Sequence, residues 1–213
     1  MSKILTNTKH PHKLTTDELN QAVSLLHDGK LIVIPTETVY GLAADAKNPS
    51  AIAKIFEIKK REKDQPISIL ISDESQLTKW AIDISKTAYK LAKVFWPGPL
   101  TIVLKRAPHV LDILTGGSNT IGLRVPDHPI TQQILQAFQN GIATTSANQS
   151  GQKNPTHVED VRKTLGKTID LIIDGGPCQI GVASTVIDLS SKKPKILRQG
   201  TITKNAIEKV IDI

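Results

Sequence analysis

A single cysteine, Cys178, stands in 213 residues, which excludes an intrachain disulfide and any zinc-ribbon or iron-sulfur site built on several thiolates. Aromatic side chains are scarce at 3% of the chain: Tyr40, Phe56, Trp80, Tyr89, Phe95, Trp96 and Phe138 are all there are. No apolar run approaches the roughly 18 residues of a membrane helix. Residues 1–14 are polar and histidine-bearing and lack a signal peptide's apolar core, so the expected location is the cytoplasm, with no membrane partner. The chain has no G-x-x-x-x-G-K-[ST] phosphate loop, no G-x-G-x-x-G dinucleotide fingerprint and no G-x-S-x-G nucleophile elbow. None of the six histidines has partners at metal-ligand spacing, and no protein-ligated metal is expected. His10 and His12 flank Pro11 and read as surface residues. Cys178, beside Pro177 and without a neighbouring base, reads as a small buried hydrophobe and not as a nucleophile.

What remains is the composition of an ordinary globular protein, 39% apolar and 22% charged. The length suits one domain, expected over residues 15–213 after an irregular lead-in at 1–14. Lys and Arg exceed Asp and Glu by seven. That excess suits an anionic partner such as nucleotide or RNA, and equally a solvated lysine-rich face.

Thr15 and Glu18 offer a capping box, so a helix should start there, bury Leu19, Val23 and Leu26, and stop at Asp28-Gly29. The apolar run 31–34 reads as a buried strand halted by Pro35, leaving 36–40 at its carboxyl end, where α/β sheets bind ligands. Ser50 is the expected cap of a second helix reaching Lys60. Further helices are expected near 86–95, 129–139, 157–165 and 203–211. Strands are expected near 67–71, 100–105, 120–125, 142–145, 171–174, 184–188 and 195–198. The interleaving predicts an α/β protein, and the strand-to-strand successions late in the chain predict a mixed sheet.

Five places carry candidate chemistry. Pro35-Thr36-Glu37-Thr38-Val39-Tyr40-Gly41 is either a ligand loop or a turn that uses its own hydroxyls on its backbone. Lys59-Lys60-Arg61 either complements a helix C-terminus or grips phosphate. Thr144-Thr145-Ser146-Ala147-Asn148-Gln149-Ser150-Gly151, followed by Asn154-Pro155-Thr156, is either a nucleotide cradle or a polar loop. Arg124 interrupts an apolar strand and needs a protein carboxylate or an anionic ligand. Arg198 poses the same question near Ser184-Thr185.

Together these segments resemble the YrdC/TsaC family of L-threonylcarbamoyladenylate synthases over residues 15–202. The resemblance rests on the 35–41 motif, the K-x-R of Lys59 and Arg61, and Phe95-Trp96-Pro97-Gly98-Pro99-Leu100-Thr101. It extends through Leu123-Arg124-Val125-Pro126 with His128-Pro129, Thr145-Ser146-Ala147-Asn148 with Ser150-Gly151, Pro155-Thr156, Ser184-Thr185-Val186-Ile187-Asp188 and Arg198-Gln199-Gly200. It implies a twisted mixed sheet with helices packed around it and a large concave basic face. It also implies synthesis of threonylcarbamoyl-AMP from L-threonine, bicarbonate or CO2, and ATP, with Mg²⁺ held mainly by the nucleotide and pyrophosphate released. The product would serve threonylcarbamoyl transfer by downstream proteins to adenosine 37 of tRNAs reading ANN codons. An RNA-binding relative without synthase activity is the alternative.

By matching position, the resemblance gives Lys59 and Arg61 catalytic and phosphate-holding roles. Gln65, Thr120, Ser146, Asn148, Thr156 and Arg198 would join them around the nucleotide, and Thr38, Arg124 and Ser184 would contact threonine. The sequence departs from the family pattern in carrying Glu62 after the K-x-R, Gln65 nearby, and Ala183 before the Ser-Thr pair, where prolines are common at the first and third of these places.

Overall fold

The computed structural model describes residues 3–6 and 13–212; His10 and His12 lie outside them. Among the described residues ten strands form one sheet: β1 (Lys3–Thr6), β2 (Ile32–Ile34), β3 (Gly41–Asp45), β4 (Ser68–Leu70), β5 (Leu100–Lys105), β6 (Thr120–Arg124), β7 (Ile142–Ser146), β8 (Leu171–Asp174), β9 (Thr185–Asp188) and β10 (Lys195–Arg198). Among the described residues the helices are α1 (Thr16–His27), α2 (Pro49–Lys59), α3 (Leu77–Trp80), α4 (Lys86–Phe95), α5 (Asp112–Thr115), α6 (Pro129–Phe138), α7 (Val158–Leu165) and α8 (Lys204–Glu208).

The strand order is β1-β8-β2-β3-β7-β4-β6-β5-β9-β10. Parallel pairs (β1 with β8, β2 with β8, β4 with β6, β5 with β9) mix with antiparallel ones, so the expected mixed sheet is present. Side chains alternate between its faces with the two-residue period of a strand. Ile32 and Ile34 of β2 join a core with Ala22 and Leu26 of α1 and Ile130, Ile134 and Leu135 of α6. Val33 points the other way, to a core shared with Ile52 and Ile55 of α2, Leu91 of α4 and Val161 of α7.

Local signals account for most of the helix ends. The Thr15 hydroxyl accepts from the Glu18 amide at 3.3 Å while the Glu18 carboxylate accepts from the Thr15 amide at 2.8 Å, the reciprocal box that sets the start of α1. Gly29 takes φ +67 at its end. The cap of α2 is Asn48, not Ser50: its side chain accepts from the Ala51 amide at 3.0 Å and Pro49 opens the first turn. Asparagine caps as well as serine does, and proline suits the first helical position.

Two strands depart from the sequence reading. Lys3–Thr6, expected to be irregular, pairs in parallel with β8 at one sheet edge, a long-range pairing that a four-residue segment does not announce. β3 was not expected at all, because Gly41-Leu42-Ala43-Ala44-Asp45 has little intrinsic strand preference. Small residues are needed there: a Cβ on Gly41 would sit 2.7 Å from Thr144 Cγ2, and Ala43 and Ala44 are fully buried.

Candidate functional site

The segments flagged in sequence converge because β3 pairs with β7, β7 with β4, β4 with β6, β6 with β5 and β5 with β9. A cleft of about 200 Å3 opens among the strand ends and the loops beside them. It is lined by Thr36, Thr38, Arg61, Ser68, Thr101, Arg124, Thr144, Thr145, Ser146, Asn154, Ser184 and Arg198, with a few apolar neighbours.

The 35–41 segment is a turn that uses a hydroxyl on its own backbone, and it also contributes Thr36 and Thr38 to the lining of the cleft. Thr36 serves the backbone: its hydroxyl donates to the Val39 carbonyl at 2.6 Å and accepts from the Thr38 and Val39 amides. With that hydrogen committed to Val39, the Thr38 hydroxyl donates to Thr36 Oγ1 at 2.8 Å and accepts from Arg124 Nη2 at 2.9 Å. Tyr40 is fully buried, its hydroxyl donating to the Gly176 carbonyl at 2.6 Å and standing 3.3 Å from Asp174. Burial and that carboxylate raise its pKa.

Of the two partners left open for Arg124, a protein carboxylate or an anionic ligand, the structure supplies a protein carboxylate, Glu37. Nη2 donates to Glu37 Oε1 at 2.7 Å, and Nε donates to the Gly98 carbonyl at 3.1 Å. The Trp96-Pro97-Gly98-Pro99 segment thus positions a guanidinium, with Gly98 itself tied through its amide to the Val125 carbonyl at 2.9 Å. Arg124 is 8% exposed and Glu37 3%.

The three guanidiniums of the cleft share one mode of attachment. Arg61 donates from Nε to the Gln65 carbonyl at 3.4 Å and from Nη2 to the Pro66 carbonyl at 3.0 Å. Arg198 donates from Nε and Nη2 to the Ser184 carbonyl at 3.1 and 2.9 Å, and from Nη2 to the Ser184 hydroxyl at 3.1 Å. In each arginine Nη1 takes part in none of these bonds, so anchored planes present a further donor edge suited to an oxyanion. Burial lowers the pKa of Arg61 and of Arg198, with Arg198 adding to the effect on Arg61 and Arg124 to that on Arg198. Arg198 is therefore electrostatically coupled to both of the others. Among the described residues no carboxylate lines the cleft, so this accumulated positive charge calls for an anion.

Lys59 lies behind a residue of the lining, Ser146, and not in the lining itself. It is 1% exposed and absent from the cleft's lining. Its Nζ donates to the Ser146 carbonyl at 2.5 Å and to the Asn148 carbonyl, with Asn148 Oδ1 at 3.5 Å. Its own carbonyl accepts from the Ser150 amide at 3.0 Å. The residue therefore pins the 146–150 segment to the end of α2, and holds Ser146 at the cleft from behind. Burial, then the Arg61 charge, lower its pKa from 10.5 to about 8.

Thr38, Arg61, Arg124, Ser146, Ser184 and Arg198 are brought together in the lining, and the other expected residues are not among the lining residues. Asn148 is buried, accepting from Lys59 and donating from Nδ2 to the Gln152 carbonyl at 2.6 Å; it braces the loop. Gln65 is exposed and contributes its carbonyl to Arg61. The Thr120 hydroxyl lies 2.8 Å from that of Ser118, and the Thr156 hydroxyl 3.0 Å from His157 Nδ1. Glu62 is exposed outside the lining, and Ala183 lies within it. Cys178 is half-buried, its thiol pushed up to about 11 mainly by burial.

The sequence reading assigned no role to Glu37, Ser68, Thr101 or Asn154. Ser68 had a signal, a lone hydroxyl inside the apolar run 67–71. Thr101 sat within a quoted motif; its hydroxyl lies 2.8 Å from that of Ser184. Among the described residues no group of three or more His, Cys, Asp or Glu could hold a metal ion, and the cleft supplies only neutral hydroxyl, amide and carbonyl oxygens, not the carboxylates that Mg²⁺ usually takes from a protein.

A family model described as Telomere recombination, covering Sua5, YciO and YrdC, matches residues 24–200. The chain belongs to this family. Within the Sua5/YciO/YrdC family it is 44% identical over 190 residues to a threonylcarbamoyl-AMP synthase of Pyrococcus abyssi, covering 89% of this chain and 56% of that protein. It is 43% identical over 204 residues to one of Bacillus subtilis, covering 92% and 59%. The chain thus spans little more than half of these two relatives. A threonylcarbamoyl-AMP synthase of Vibrio vulnificus, 34% identical over 184 residues, is matched over 98% of its length and 85% of this chain. The crystal structure of P. abyssi Sua5 complexed with L-threonine superposes with a TM-score of 0.91 at 42% identity, over 94% of this chain and 59% of that one.

Proposed function

We propose that the protein synthesises L-threonylcarbamoyl-AMP from L-threonine, bicarbonate or CO2, and ATP, releasing pyrophosphate. The observation that carries this reading is the trio of anchored guanidiniums around hydroxyls in a cleft without carboxylates. Attack of a carbamate oxygen on the α-phosphate needs alignment and charge neutralisation more than a protein nucleophile. Arg124, with Thr38 and Ser184 nearby, binds the amino acid through its carboxylate. Arg61, Arg198 and the Ser146 hydroxyl bind the nucleotide, offset the polyphosphate charge and stabilise pyrophosphate as it leaves. Lys59 holds the Ser146 segment in place. Mg²⁺ would be held mainly by the phosphates of ATP and would offset their charge, since the described residues lining the cleft include no carboxylate to offer a metal. The threonylcarbamoyl group then passes, by way of separate transfer proteins, to adenosine 37 of tRNAs reading ANN codons. The reaction is assigned to the cytoplasm; no helix among the described residues is long and apolar enough to cross a membrane.

Purified protein given ATP, L-threonine and bicarbonate should release pyrophosphate only when all three are present. Release without threonine would overturn the assignment, and RNA binding with no release would turn it into a binding module.

A further inference from the structure

The three cleft arginines are not electrically equivalent. Arg61 and Arg198 are anchored on neutral oxygens, the Gln65, Pro66 and Ser184 carbonyls and the Ser184 hydroxyl. Arg124 alone is ion-paired, with a carboxylate that does not itself line the cleft. That carboxylate is firmly held: Glu37 Oε2 accepts from the Asp127 amide at 3.2 Å, and the Glu37 carbonyl accepts from the Ile180 amide at 2.9 Å. Counting formal charges, the Arg124–Glu37 pair sums to zero, while Arg61 and Arg198, without a carboxylate partner, sum to two positive.

We propose that Glu37 is a positioning residue that divides the cleft into a charge-balanced end for a zwitterionic amino acid and a cationic end for polyphosphate, and so keeps phosphate out of the amino-acid end. The inference rests on the proposed reaction and adds a sorting device to it. Glu37 acts in two ways. By taking Nη2 it turns the guanidinium so that Nη1 is left for a single carboxylate, and its own negative charge makes the place unfavourable for a dianion that brings no compensating cation. An α-amino acid carries its own ammonium and pays far less of that repulsion. Without Glu37 the cleft would present three uncompensated guanidiniums, and inorganic phosphate or the triphosphate of ATP could occupy the place beside Arg124 as well.

The test is calorimetric titration of inorganic phosphate and of L-threonine into the wild type, Glu37→Gln and Glu37→Asp, with melting temperatures recorded alongside. The wild type should bind one phosphate per chain, and saturating phosphate should leave threonine affinity unchanged within about twofold. Glu37→Gln keeps a hydrogen-bond acceptor and removes the charge; it should bind a second phosphate and lose about tenfold in threonine affinity when phosphate is present. Glu37→Asp keeps the charge at a shorter reach and should still exclude the second phosphate even where threonine binding weakens. Competition between phosphate and threonine in the wild type overturns the inference, as does a folded Glu37→Gln that still binds only one phosphate. Should Glu37→Gln fail to fold, the wild-type competition and the Glu37→Asp stoichiometry decide the matter. A wild type that binds no threonine refutes the proposed reaction instead, and the phosphate counts then still test the charge partition.

Discussion

Lys59→Met separates two roles for the buried ammonium. Methionine keeps most of the apolar stem and removes the donor, so the Ser146 and Asn148 carbonyls lose the bonds recorded for the wild type. Two charge-assisted bonds are worth about 3–6 kcal/mol together. Against this stands the desolvation that the ammonium no longer suffers. A pKa of about 8 in place of 10.5 corresponds to about 3 kcal/mol at about 1.4 kcal/mol per unit. The net loss should be at most about 3 kcal/mol, or up to about 10 °C in melting temperature for a chain of this length. The functional effect should fall on the nucleotide: KM for ATP rises about tenfold as the Ser146 segment loosens, while KM for threonine moves less. Both are read by differential scanning fluorimetry and the pyrophosphate-release assay. The pH dependence gives an independent check. Between pH 8 and 10.5 the unfolded chain binds a proton at Lys59 that the folded chain has released, so this group adds stability as pH rises through that window. The wild type should therefore gain on Lys59→Met by up to about 3 kcal/mol across it. Unchanged melting temperature and ATP KM with a collapsed kcat would refute the reasoning and return the ammonium to the phosphate.

Arg61→Ala should lower kcat/KM for ATP by about tenfold to a thousandfold with little effect on threonine affinity, since it removes a charge-stabilising donor from the polyphosphate end; steady-state kinetics with each substrate varied will show it. Gly200→Ala should impair threonine binding and lower the melting temperature, because the added Cβ would lie 2.3 Å from the Ala183 carbonyl oxygen and 2.5 Å from the Ser184 carbonyl carbon, forcing the Ser184 segment to move. Calorimetric threonine affinity indistinguishable from the wild type would contradict that. Cys178, with its thiol raised to about 11, should alkylate with iodoacetamide slowly at pH 7.5 and accelerate only as the pH approaches that value; Cys178→Ala should leave turnover within about twofold.

Chain-local physics determined much of the molecule. The Thr15–Glu18 box, the Gly29 stop and the bounds of α4, β5 and β8 were legible because their signals span a few residues. Motif spacing located the loops of the cleft. The unpaired charge of Arg124 in an apolar strand announced a partner without naming it. Tertiary structure decided the rest. Glu37 meets Arg124, and Lys59 meets Ser146, across 87 residues, and only the sheet order that sets β3 beside β7 and β4 beside β6 closes those distances. β3 escaped notice because glycine and alanine are chosen there for close packing against Thr144 and not for strand preference. The same lysine could have capped a helix, gripped phosphate or braced a loop. Which of these it does depends on the oxygens that the fold places around its ammonium.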